Sequence, residues 1–212
     1  MKLLIFDLDG TLLNSLEDLM ISTNYALKKF GFPERSLEEV RRFVGNGLKL
    51  LMVRAVPKHT DEQTIEMALS AMKAHYKIHC HDKTVPYDGI INMLQSLKSR
   101  GYHIAIVSNK AQPMVDILKE FYFRDLVDLA VGESKGRATK PAPDMVYAVQ
   151  KRFPEEAVFI GDSDVDIKTA GNAGIPCLSV GWGFRTEQQL HEAGAEKVYF
   201  TPAELQNAIL KL

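Results

Sequence analysis

Two carboxylates, Asp7 and Asp9, stand two residues apart at the end of the apolar run Leu3-Leu4-Ile5-Phe6 and are followed at once by Gly10 and Thr11. Acids placed where a buried strand ends suit covalent and acid–base chemistry, because ligand sites in open α/β sheets lie outside the carboxyl ends of the strands. Taken alone, Asp-x-Asp-Gly also describes an ordinary turn. A second cluster repeats the theme: Val158-Phe159-Ile160-Gly161 leads into Asp162, Ser163, Asp164 and Asp166. Three carboxylates in five residues repel one another unless a cation compensates them, and hard oxygen ligands at this density favour magnesium. Asp162 or Asp164 would serve equally well as a helix cap, and capping and metal binding can coexist here.

Two further segments end strand-like runs with polar groups. Ile104-Ala105-Ile106-Val107 opens into Ser108-Asn109, a hydroxyl and an amide able to hold a phosphate oxygen or merely to form a turn. Lys140 precedes Pro141-Ala142-Pro143-Asp144, so the prolines stiffen the approach to a lysine that is either a fixed cation or a solvated surface residue.

The elements that must position these groups are legible as short runs of Val, Ile and Leu at residues 2–6, 103–107, 127–131, 157–160, 177–180 and 197–200. Most are apolar at consecutive positions, as a strand covered by helices on both faces requires. A doubly wound, Rossmann-like, mostly parallel α/β sheet follows. Residues 15–84 break the alternation: no strand pattern occurs and the apolar spacing becomes helical, which predicts an inserted α-helical cap domain, with residues 1–14 and 85–212 forming the core domain. Helix starts are expected at Ser15 with Asp18, at Ser36 with Glu39, at Thr60 with Gln63 and at Thr201-Pro202-Ala203-Glu204. The first of these helices should turn Leu16, Leu19, Met20, Thr23, Leu27 and Phe30 to one face.

Composition narrows the classes. The 212 residues are 46% hydrophobic, with 26 basic against 27 acidic side chains, a balance that argues against disorder and against nucleic acid as the main partner. The first apolar stretch is too short for a signal peptide, and no later one approaches the ~18 uncharged residues of a membrane span. A soluble, cytoplasmic protein with Cys80 and Cys177 as reduced thiols is expected.

The four segments, in this order, resemble the four motifs of the haloacid dehalogenase-like hydrolase superfamily, and Gly181-Trp182-Gly183-Phe184-Arg185 with residues 187–190 resembles its phosphoglycolate phosphatase branch. The resemblance implies a magnesium-dependent phosphatase acting on a small phosphorylated metabolite, with 2-phosphoglycolate the best candidate, as monomer or homodimer. It makes Asp7 the nucleophile and Asp9 the general acid and base. Thr11 and Ser108 would lie near the phosphate, and Lys140 would neutralise charge around Asp7. Magnesium would be held by Asp7, the Asp9 backbone carbonyl, Asp162 and, directly or through water, Asp166. The insertion resembles caps placed after the first motif, in which Gly45-Asn46-Gly47 matches a substrate loop; a simple break between helices explains Asn46 as well, and Arg54 and His59 are not assigned. Within the superfamily, a pyrophosphatase, a nucleotide or sugar-phosphate phosphatase and a β-phosphoglucomutase-like phosphotransferase remain alternatives. From another class, phospho-aspartate signalling modules share an aspartate, a hydroxyl and a lysine on a parallel sheet, but lack the Asp-x-Asp-Gly-Thr strand end and a helical insertion. A dinucleotide-binding protein is disfavoured, since neither Gly45-x-Gly47 nor Gly181-x-Gly183 has the required setting.

Overall fold

The computed structural model describes residues 3–212, so Lys2, expected to start the first strand, lies outside the described residues. The chain divides into two compact units, one of residues 1–14 and 86–212 and the other of residues 15–85.

In the first unit the strands β1 (Leu3–Phe6), β4 (His103–Ala111), β5 (Leu129–Glu133), β6 (Ala157–Gly161), β7 (Cys177–Val180) and β8 (Val198–Tyr199) form one sheet in the order β5-β4-β1-β6-β7-β8. The two-residue strands β2 (Leu13–Asn14) and β3 (Val85–Pro86) lie on the connecting segments. Every pairing within the large sheet is parallel. Between its strands run α5 (Ile90–Ser99), α6 (Gln112–Phe123), α7 (Asp144–Arg152), α8 (Asp164–Ala173) and α9 (Glu187–Glu192), and α10 (Pro202–Ile209) closes the chain; α1 to α4 belong to the second unit.

All four side chains of β1 are wholly buried, as are Ile104 to Val107 on β4 and Val158 to Ile160 on β6. Burying each such aliphatic or aromatic side chain contributes about 1.5–3 kcal/mol, and this central three-strand block is the core on which the unit is built. Leu3, Ile5, Val107, Met145, Val149 and Phe159 belong to one cluster in which α7 covers one face of the sheet. The chain runs from β1 outward through β4 and β5, then returns to the other flank of β1 for β6. That reversal opens a crevice at the carboxyl ends beside β1. Register aligns those ends, because Phe6 is the partner of both Ile106 and Ile160.

The second unit contains α1 (Leu16–Lys29), α2 (Leu37–Phe43), α3 (Gly47–Ala55) and α4 (Glu62–His79). Its interior holds Leu19, Leu27, Val40, Leu51, Met52, Leu69, Met72 and Tyr76. Asp18 ties its two ends together: this buried carboxylate accepts from the amides of Lys83 and Thr84 and from the Thr84 hydroxyl at 2.7–3.0 Å.

Several local expectations are corrected. Ser15 precedes α1 but makes no side-chain cap bond, while Met20 and Phe30 are only partly buried, since the inward face turns through Leu16, Leu19, Thr23 and Ala26. The cap of α4 is Asp61, whose carboxylate accepts from Thr64 N, displacing Thr60 by one residue. Neither Asp162 nor Asp164 caps α8; Ser163 does so, in a reciprocal box with Asp166. Ser36 and Thr201 cap α2 and α10. β4 continues beyond Val107 to Ala111, with a register irregularity between those residues. Cys80 and Cys177 form no disulfide, and burial pushes the Cys177 thiol up to about 12, leaving little reactive thiolate.

Candidate active site

Asp7 is the first residue past β1, with its amide donating to Ile160 O at 2.9 Å. Its Oδ1 accepts from Leu8 N at 2.7 Å and lies 2.8 Å from Lys140 Nζ. The same ammonium donates to Asp166 Oδ1 at 2.7 Å, and its side chain is only 2% exposed. Lys140 is thus a buried cation between two carboxylates, not a solvated surface residue. Asn109 fixes its backbone, donating through Nδ2 to Lys140 O at 3.0 Å and accepting at Oδ1 from Lys140 N at 2.7 Å. One N–H and one oxygen lone pair of that amide thus hold the lysine backbone, while its second N–H is not engaged by these two bonds.

Asp162 leaves β6 wholly buried, with Oδ1 accepting from Thr11 Oγ1 at 2.9 Å and Oδ2 from Phe184 N at 2.8 Å. The turn residues around it are glycine of necessity. Gly10 has φ +88, and a Cβ on Gly10 or Gly183 would collide with the Asp162 carboxylate. Trp182 adds a further tie, its indole N–H donating to Thr11 O at 3.0 Å. Asp166 is wholly buried on the first turn of α8, where Oδ2 accepts from the Ser163 amide and hydroxyl. Ser108 is buried, and its Oγ accepts from Lys110 N at 3.2 Å.

Asp7, Asp162 and Asp166 each offer an oxygen within 4.8 Å of the others. Burial raises Asp7 to about 8, with the charges of Asp166 and Asp162 adding to the rise and Lys140 opposing it. Burial and the Asp166 charge raise Asp162 to about 7. Burial also disfavours the charge on Lys140, but Asp166 and Asp7 outweigh it and hold the ammonium above the usual lysine range. The Lys140 ammonium and the Arg185 guanidinium that acts on Asp162 do not offset three buried carboxylates, since Asp7 and Asp162 both stay raised. The unused lone pairs of hard oxygens converging at this spacing fit a divalent cation such as magnesium.

Asp7, Thr11, Lys140, Asp162 and Asp166 are linked by these contacts, Ser108 lies within β4, the strand that pairs with β1, and Asp9 lies two residues beyond Asp7. Asn46 belongs to the helical unit, where its Oδ1 accepts from Arg54 Nη2 at 3.0 Å. Sequence reasoning missed Lys110, and it noted the loop at residues 181–185 without assigning it a part in the site. Lys110 donates from Nζ to both Asp9 oxygens at 2.7 Å; its spacing of two from Ser108, the strand period, was the available signal. The loop at residues 181–185 carries the Trp182 and Phe184 donors, for which the paired glycines were the signal.

The site stands within a chain that has clear relatives. Residues 4–180 match the family model described as haloacid dehalogenase-like hydrolase. The phosphoglycolate phosphatase of Mannheimia succiniciproducens is 32% identical over 216 residues, covering 96% of this chain and 96% of that protein. Phosphoglycolate phosphatase 1 of Pseudomonas aeruginosa is 32% identical over 204 residues, covering 90% of this chain and 73% of that one. A solved structure described as a predicted phosphoglycolate phosphatase, from Haemophilus somnus, superposes with a TM-score of 0.91 at 28% identity over 99% of this chain and 98% of that one. With a family model spanning most of its length and relatives of this identity and coverage, the chain belongs to the haloacid dehalogenase-like hydrolase family.

Proposed function

We propose that this protein is a magnesium-dependent phosphatase that hydrolyses a small phosphate monoester, 2-phosphoglycolate being the first candidate, through an aspartyl phosphate on Asp7. The observation that carries the reading is the placement of Asp7 at the strand end, 2.8 Å from a buried lysine and within an acidic triad. The named activity of the relatives supports the choice of substrate.

An Asp7 oxygen attacks phosphorus in line with the ester oxygen, forming the acyl-phosphate bond as the phosphorus–ester oxygen bond breaks. The electron pair departs on the ester oxygen, which takes a proton from Asp9. Water then gives a proton to Asp9 and attacks phosphorus, releasing inorganic phosphate and regenerating the Asp7 carboxylate. Lys140 favours the ionised nucleophile and Ser108 supplies a hydroxyl proton for a phosphate oxygen, whereas Thr11, expected near the phosphate, gives its one hydroxyl proton to Asp162 Oδ1 at 2.9 Å and so orients that carboxylate. Magnesium held by Asp7, the Asp9 carbonyl, Asp162 and Asp166 would supply the positive charge that offsets the phosphoryl group and these carboxylates. Residues 15–84 act as a cap that selects the leaving group, with Asn46 a candidate contact. Among the described residues no helix is long and apolar enough to cross a membrane.

The test is magnesium-dependent phosphate release from 2-phosphoglycolate by purified protein, with Asp7→Asn as the blank. Release by wild type alone supports chemistry and substrate together. Release from pyrophosphate, nucleotides or sugar phosphates but not 2-phosphoglycolate would overturn the substrate, and release from none would overturn the phosphatase reading.

A further inference from the structure

Lys110 lies on the irregular end of β4 with a side chain only 3% exposed, and its ammonium spans both Asp9 oxygens at 2.7 Å. The backbone beneath it is braced. Its amide donates to Ser108 Oγ at 3.2 Å, and its carbonyl packs so closely on Gly132 that a Cβ there would stand 2.6 Å away. Pairing with β5 resumes at Ala111 with Glu133. A buried ammonium is costly without a counter-charge, and the Asp9 carboxylate supplies one to this inward-turned side chain. The two buried lysines divide the two reacting carboxylates between them: Lys140 reaches Asp7 and Asp166, and Lys110 reaches Asp9.

We infer that Lys110 is a positioning residue for Asp9, holding the acid–base carboxylate in one orientation from the neighbouring strand until a substrate oxygen competes for it. The inference rests on the phosphatase reading above. Transfer to Asp7 with a leaving group that needs no proton should then depend little on Lys110, because p-nitrophenolate departs as the anion. Transfer from an alkyl ester should depend on it strongly, because Lys110 must keep one Asp9 oxygen while it yields the other, which, once protonated, gives its proton to the departing oxygen as the phosphorus–oxygen bond breaks.

Single-turnover release of the leaving group from 2-phosphoglycolate and from p-nitrophenyl phosphate, in the presence of magnesium, separates these cases. Lys110→Met should slow the alkyl ester on the order of 10- to 100-fold, the cost of a misplaced catalytic group, and the aryl ester only slightly. Lys110→Arg should recover part of the loss, since a guanidinium also pairs with both carboxylate oxygens. In an Asp9→Asn background, Lys110→Met should add little, because a residue acting through Asp9 has nothing left to position. Equal slowing of both esters, or full additivity in the double variant, overturns the inference. Should Lys110→Met fail to fold, Lys110→Gln goes through the same cycle with the same outcomes. If the wild type turns over neither ester, the phosphatase reading falls on its own; the crystal structure of the variant then decides for Lys110, with an undisturbed Asp9 orientation overturning the inference and a displaced one supporting it.

Discussion

Replacing Lys140 by methionine tests the electrostatic reading of the site most directly, because the ammonium lies 2.8 Å from Asp7 and 2.7 Å from Asp166 with a side chain 2% exposed. At about 3 Å and an effective dielectric near 20, each contact is worth about 5–6 kcal/mol of Coulomb attraction before desolvation is charged against it. Removing one partner of such a buried arrangement costs about 3–5 kcal/mol net, because carboxylates are left without their cation. For a chain of this size that is a fall in Tm of about 6–20 °C. The pH dependence carries the diagnostic part. Without metal, Asp7 titrates at about 8 in the folded protein against 3.8 as a free side chain, so its folded state holds the proton more tightly. Stability from this group is fully present below pH 3.8 and is lost as pH rises through about 8. Without Lys140 the Asp7 value rises further, so the variant continues to lose stability above pH 8 where the wild type has levelled off. Urea unfolding of both proteins at pH 6 and pH 9, free of divalent ions, should show the gap widening by up to about 1.4 kcal/mol for each pH unit above 8. Equal stability, or a gap that is the same at both pH values, would refute the reasoning, because lost side-chain packing alone carries no pH signature.

Magnesium should raise Tm more at pH 8 than at pH 5, because Asp7 and Asp162, raised to about 8 and about 7, must release protons to bind it. At a hundredfold excess over Kd the stabilisation is about 2.7 kcal/mol, and thermal scans of Asp162→Asn should show little of it. Gly183→Ala places a methyl against Asp162 and Gly10 O, so a loss of about 1–3 kcal/mol and a weakened magnesium shift are expected in the same scans. In the helical unit, Asp18→Ala leaves the Lys83 and Thr84 donors without their carboxylate and should cost about 2–4 kcal/mol by urea unfolding, while Glu17→Ala, one residue away and exposed, should cost far less.

The sequence alone determined the type and order of the main elements, while several of their ends were set by the folded structure. Strands buried on both faces must be apolar at consecutive positions, so residues 3–6, 103–107 and 157–160 announced themselves, and polar groups where such apolar runs stop had to lie toward the carboxyl ends of the strands. The absence of any such run among residues 15–84 separated the helical unit for the same reason. Which side chain meets which was decided by tertiary structure, because those partners are distant in sequence and joined only by parallel register. Phe6 pairing with both Ile106 and Ile160 brings Asp7 to Lys140 and sets Lys110 against Asp9 across 101 positions of chain. Asn109 is turned to the backbone of Lys140 by the same assembly, and the close approach at Gly10 and Gly183 exists only once Asp162 stands between them. Local chemistry favours a cap at Ser163 as readily as at Asp162 or Asp164; burial decides, because it commits Asp162 to Thr11 and Phe184 and leaves Ser163 to close the helix with Asp166.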